Sequence, residues 1–287
     1  MSNVIATNTA SLAAQRNLVG AQNALTKSVE RLSSGLRINR AKDDAAGLGV
    51  SEALQKQING IKQGIQNLND GISLSQTAEG ALSAVAEITQ RMITLATQGA
   101  NGTLNATQTG AIKTELLALK DSINDIAKRT NFTGTTLFAG SEIKLQVSND
   151  AGDVVTISQA ALAKIKLSSV DAETTTESKA LFTAIDALTA GITTAKMGTI
   201  QTAASAYLDT ITTQRGALGA FQNQLEYTVN NLSDFYNNLS AARSRVIDTD
   251  YAAETANLTR GQILQQAATA MLAQANQMPN VVLTLLK

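Results

Sequence analysis

Leu218, Phe221, Leu225, Thr228, Leu232, Phe235, Leu239, Ala242 and Val246 follow one another at alternating spacings of three and four without a break. Positions three and four apart share one face of an α-helix. A stripe this narrow, kept over four heptads, fits the seam of a coiled coil better than the broad apolar face of a globular helix. The feature demands a long helix, and little in the chain opposes one. A single proline, Pro279, stands in 287 residues, and aromatic residues make up 3%. Ala, Leu and Gln, all good helix formers, are abundant.

Similar ladders recur elsewhere. Leu18, Leu25, Val29, Leu32 and Leu36 mark a helix near the start, with Ile5, Leu12 and Val19 as a second ladder at heptad spacing. Ile58, Ile61, Ile65, Leu68 and Ile72 open another, which slips near Ala78 and resumes at Leu82, Val85, Met92 and Leu95. A slip of that kind changes local supercoiling without ending the helix. Ile112, Leu116, Leu119, Ile123 and Ile126 form a further helix, and Leu264, Ala268, Met271, Ala275, Met278 and Val282 extend the pattern into the tail. The middle differs. Ile143, Leu145 and Val147 alternate, a turn follows at Asn149–Asp153, and Val155 and Ile157 alternate again, which predicts a β-hairpin at about 140–160. Residues 168–178 read as a Ser/Thr/acid-rich loop, with a shorter helix from about Lys179. The expected fold is mainly α: a long antiparallel helical coiled-coil rod or bundle with a small β-hairpin region in the middle.

The residue inventory removes most chemistry. Histidine and cysteine are both absent, so the commonest general base, the usual nucleophile systems and a structural zinc site go with them. No enzyme, cofactor or metal is expected. Gly47–Gly49 lacks the rest of a dinucleotide loop, and Asp43 and Asp44 read as acids at a helix N-terminus. Net charge is zero, which gives no bulk attraction to nucleic acid. Gln262, Gln265, Gln266, Gln274, Asn276, Gln277 and Pro279 make the tail too polar to span a membrane. The opening residues lack the basic and apolar regions of a signal peptide, so an exported chain is expected to use another route.

The two ends are unusual. Residues 1–15 and 261–286 carry no charge, and the chain closes on five aliphatic side chains in eight, Val281, Val282, Leu283, Leu285 and Leu286. Burying those side chains and ordering their backbone are opposing terms of similar size. The ends are therefore expected to stay loose in a lone molecule and to fold against other copies. A head-to-tail contact of that kind need not close, and its repetition gives a helical fibre.

"RLSSGLRINRAKDDAAGLGVSEAL" (31–54) resembles bacterial flagellin, as do "QTAEGALSAVAEITQRMITLATQGANGT" (76–103), "NFTGTTLFAG" (131–140), "ARSRVIDTDYAAETANLTRGQILQQA" (242–267) and "MLAQANQMPNVVLTLLK" (271–287). The resemblance spans roughly residues 1–140 and 205–287, with several motifs in order at both ends. It implies a structural subunit that polymerises into the filament used for motility. Residues 1–42 with 248–287 would form an inner terminal coiled coil, disordered in the monomer. Residues 43–247 would form a helical bundle with a β-hairpin, and no large outer domain is expected. The terminal assembly set is Ile5, Leu12, Leu18, Leu25, Leu32, Leu264, Met271, Val282, Leu285 and Leu286. Arg31, Gly35, Arg37, Asn39, Arg40, Lys42, Asp43 and Asp44 are expected where the inner and outer parts join. The implied partners are further copies, the flagellar cap and hook-associated proteins, the export chaperone and the type III export apparatus, with an extracellular destination. The resemblance also places an animal Toll-like receptor contact at Gln90, Arg91, Leu95 and Glu115, although Ile93 and Thr94 stand where well-recognised members carry a basic and an acidic residue. Alternatives are a hook–filament junction protein and a secreted coiled-coil translocator.

Overall fold

The computed structural model describes residues 7–139, 143–157 and 176–285. Ile5, Leu286 and most of the expected 168–178 loop lie outside the described residues, as do the side chains of Val282 and Leu285. Among the described residues, six α-helices carry the fold: α1 (Thr9–Ser34), α2 (Ala45–Gly99), α3 (Ala106–Arg129), α4 (Thr176–Asp186), α5 (Thr194–Ile247) and α6 (Tyr251–Leu285). The strands among the described residues, β1 (Asn131–Phe132), β2 (Thr135–Thr136), β3 (Ile143–Gln146) and β4 (Val154–Ile157), pair antiparallel as β1–β2 and β3–β4. The mainly α class with a small hairpin is as the sequence predicts. The chain divides into two compact units, one from Met1–Lys56 with Asn238–Lys287, the other Gln57–Asn237.

The Gln57–Asn237 unit is a helical bundle whose core follows the ladders. Leu82, Val85, Met92 and Leu95 of α2 pack with Leu116 and Ile123 of α3, Leu181, Phe182 and Ile185 of α4, and Ile200, Tyr207, Ile211 and Leu218 of α5. The seam on α5 stays buried at Leu218, Leu225 and Leu232. Helix α3 opens with a capping box: the Asn105 side chain accepts from the Gln108 N–H, and the Gln108 side chain accepts from the Asn105 N–H. Helix α4 begins three residues ahead of the expected Lys179. Its Phe182 ring meets Tyr207 at 6.4 Å between centroids, tilted, and the Lys120 ammonium lies 5.9 Å from the same ring.

The β3–β4 hairpin pairs Ile143 with Ile157 and Leu145 with Val155, the register implied by the alternation. It lies against α2 along Gly60, Gly64 and Gly71. A Cβ at Gly64 would sit 1.8 Å from the Val147 carbonyl oxygen, and one at Gly71 would sit 2.2 Å from Leu145 Cδ1. Only glycine allows helix and strand backbones to approach so closely. The β1–β2 hairpin was not anticipated. Its turn residues Thr133 and Gly134 both have positive φ, 48° and 86°, the backbone form that matches strand twist in a two-residue loop.

Candidate functional site: the paired chain ends

Helices α1 and α6 lie antiparallel. The Asn8 amide donates to the Ala275 carbonyl (2.8 Å), Ser11 Oγ meets Asn276 Oδ1 (2.9 Å), and Arg31 faces Glu254 at the other end. The Asn8 side chain also caps α1 by accepting from the Ser11 N–H. On α1 the sheltered positions are Ser11, Ala14, Leu18, Ala21, Leu25, Ser28 and Leu32, at alternating spacings of three and four. On α6 they are Glu254, Leu258, Gly261, Gln265, Ala268, Leu272 and Ala275, again at three and four. Both rows fit a coiled-coil seam.

This seam corrects the expected one. Leu264 and Met271 lie beside it, 52% and 64% exposed, and so does Leu12 at 52%. Leu18, Leu25 and Leu32 are in the seam and half-buried. The physical reason is the interhelical distance. Small residues at Ala14, Ala21, Ser28, Gly261, Ala268 and Ala275 let the backbones draw together. A Cβ at Gly261 would already touch Leu25 Cδ1 at 3.4 Å. Leucines alternate with these small residues in the seam at Leu18, Leu25, Leu32, Leu258 and Leu272, and the aliphatics off these two rows are left outward. Val19 and Ile263 are more than half exposed as well.

The connectors between α1 and α2 and between α5 and α6 are joined side by side. Gly35 ends α1 in the left-handed conformation (φ 72°), and its N–H donates to the Arg31 carbonyl. Leu36 and Asp248 form an isolated antiparallel bridge, closed by the Arg37 N–H on Ile247 O (2.7 Å) and the Thr249 N–H on Gly35 O (3.0 Å). The Arg37 guanidinium also donates to the Val246 carbonyl (2.6 Å). Arg40 pairs with Glu30 at 2.7 Å, and the Asn39 amide donates to the same carboxylate at 3.2 Å. Lys27 meets Asp43 at 3.4 Å, and Asp43 accepts from the Arg40 N–H at 3.1 Å. Desolvation raises the Asp43 carboxyl, but the Arg40 and Asn39 backbone groups and Lys27 outweigh it and hold it below the usual carboxylate range. Asp44 caps α2 through the Gly47 N–H (2.9 Å), and Asp250 caps α6 through Ala252 and Ala253.

Of the expected joining residues, Arg31, Gly35, Arg37, Asn39, Arg40, Asp43 and Asp44 thus fall in one stretch with identifiable contacts. Lys42 is exposed. Sequence reasoning missed their partners Lys27, Glu30 and Glu254. Glu254 carried a readable signal: it occupies a seam position one heptad before Gly261.

The expected receptor set divides. Gln90 and Arg91 are exposed, and Arg91 holds Glu115 through Nε (2.9 Å) and Nη2 (2.7 Å). Leu95 is only 2% exposed and belongs to the bundle core, so it offers no surface here. It sits on the inner face because it lies on the ladder with Leu82, Val85 and Met92.

Two family signatures match: the bacterial flagellin N-terminal helical region over residues 5–143 and the bacterial flagellin C-terminal helical region over residues 197–286. The flagellin of Halalkalibacterium halodurans is 40% identical, across 99% of this chain and 100% of that protein. The flagellin of Bacillus subtilis is 39% identical, across 98% of each. A solved structure of a putative flagellar hook-associated protein from Vibrio parahaemolyticus, 18% identical, covers 72% of this chain and all of its own with a TM-score of 0.59, a likeness of fold. With both terminal signatures matched and whole-length relatives at this identity, the chain belongs to the bacterial flagellin family.

Proposed function

We propose that this chain is a structural subunit of the bacterial flagellar filament, and that its paired ends are the polymerising element. One observation carries the second statement. The α1–α6 seam closes on its own mixture of leucines and small residues, while Leu12, Val19, Ile263, Leu264 and Met271 face outward. Large aliphatics in rows on a helix pair, rather than scattered singly, mark surface reserved for another protein. Further copies of the same chain supply matching rows, and such contacts repeat without closing.

On this reading, residues 1–42 with 248–287 make the inner coiled coil and gain their full order only on assembly, while 43–247 form the surrounding bundle. Leu18, Leu25 and Leu32 hold the pair together, and Leu12, Leu264 and Met271 meet neighbouring copies, joined by Ile5, Val282, Leu285 and Leu286. The connector carrying Arg31, Gly35, Arg37, Asn39, Arg40, Asp43 and Asp44 fixes the two chain crossings beside each other. Its partners on this reading are cap and hook-associated proteins, an export chaperone and the type III apparatus, and its destination is extracellular; family membership supports this without testing it. A Toll-like receptor contact rests on resemblance and would use Gln90, Arg91 and Glu115, with Arg91 first released from its own carboxylate.

The test is growth from seeds. Purified chain added to filament fragments elongates them into fibres visible by electron microscopy. A chain lacking residues 260–287 stays soluble and helical but does not extend seeds. Extension at the normal rate by the truncated chain would overturn the assignment.

A further inference from the structure

The sequence contains two Asn-Gly pairs, Asn59–Gly60 and Asn101–Gly102, and the fold holds their backbones differently. Asn59 is exposed, but its backbone and that of Gly60 belong to α2, and Gly60 is buried against Asn149, whose Cγ would be 2.8 Å from an added Cβ. Asn101 and Gly102 are exposed in the turn between α2 and α3. No neighbouring atom lies within 4 Å of where a Cβ would stand on Gly102. The turn is held by the Leu104 N–H on the Asn101 carbonyl (3.4 Å), and the Thr103 N–H donates to Asn101 Oδ1 (3.2 Å).

We propose that Asn101 is a site of spontaneous deamidation, giving aspartate and isoaspartate, and that Asn59 is protected by the fold. In the first step the Gly102 amide nitrogen loses its proton to hydroxide and attacks Asn101 Cγ. The N–Cγ bond forms, the Cγ–Nδ2 bond breaks, and the amide nitrogen leaves as ammonia after taking a proton from water. Solvent water then opens the five-membered imide at either carbonyl, leaving a carboxylate on a normal or an extended backbone. No oxidant or reductant is needed. The Thr103 N–H sits on the oxygen where negative charge gathers in the tetrahedral intermediate, the placement that lowers such a barrier. Glycine at 102 lets the backbone rotate its nitrogen onto Cγ. At Asn59 the same rotation must break the i→i−4 hydrogen-bond ladder of α2.

The product carries a new negative charge just past the C-terminal end of α2, where the helix dipole is already negative, so the turn is loosened. The modification does not depend on polymerisation. The experiment incubates the full-length chain at mildly alkaline pH, digests it with trypsin, and follows peptides 92–113 and 57–62 by mass spectrometry, with fragmentation to place the change. In the native protein Asn101 converts on the order of tenfold faster than Asn59, or more, because only the helical site needs local opening. In denaturant the two rates come within about twofold. Gly102→Val suppresses conversion at Asn101 and leaves the Asn59 rate unchanged. Equal native rates at the two sites would overturn the proposal, as would an Asn101 that survives native incubation while the denatured chain reacts.

Discussion

Arg31 on α1 and Glu254 on α6 approach to 3.5 Å across the terminal helix pair, with the Glu254 side chain 8% exposed. A carboxylate in that position is tolerable only beside a cation, because an unpaired buried charge is costly. Glu254→Ala removes the partner and leaves a half-sheltered guanidinium. The expected loss is about 1–3 kcal/mol, below that of a fully buried pair because Arg31 still reaches water. Hydrogen exchange at α1 and α6 amides measures it, and unchanged protection would show that the pair contributes nothing.

Gly64→Ala is expected to cost about 1–3 kcal/mol, because the new methyl collides with the Val147 carbonyl. Backbone cannot swing aside as a flexible side chain can, so the hairpin must lift from α2. Thermal unfolding followed by circular dichroism reads the loss. Gly102→Ala, at an open position, is the matched control and should leave the midpoint nearly unchanged.

Met271→Asp and Leu12→Asp separate assembly from folding. Both residues are more than half exposed, so each substitution should change the stability of the lone chain by no more than about 0.5 kcal/mol. Seeded elongation should nevertheless stop. Leu25→Asp, within the seam, should lose terminal helix and elongation together. Normal fibres from Met271→Asp would remove that residue from the contact between copies.

Asp43 gives the acid dependence a definite sign. Its folded-state carboxyl titrates below the ordinary range, so the ionised form is favoured in the native state. That stabilisation is fully present above the unfolded carboxyl's range, about pH 4, and is lost as pH falls through the depressed folded value. Asp43→Asn should flatten this part of the acid limb in a stability-against-pH series. An identical limb in the variant would assign the dependence to other carboxyls.

The long helices were legible because each repeats its apolar positions over many turns, as Ile58 to Leu95 and Leu218 to Leu232 do. The hairpin at Ile143–Ile157 was legible from its two-residue alternation. The β1–β2 hairpin was not, since two paired residues per strand leave no period to read. The terminal seam was misread for a different reason. A ladder search favours rows of large side chains such as Leu264 and Met271, whereas the seam alternates leucines with glycine, alanine and serine, which a search for large apolar residues passes over. Leu95 shows the converse: a motif suggested surface, and its place on a core ladder put it inside.

The Asn8 amide reaches the Ala275 carbonyl across a sequence separation of 267. Helix α1 is thus matched to α6, which is synthesised long after it. At every earlier moment of translation it has nothing native to lie along, and no truncated product can complete the match.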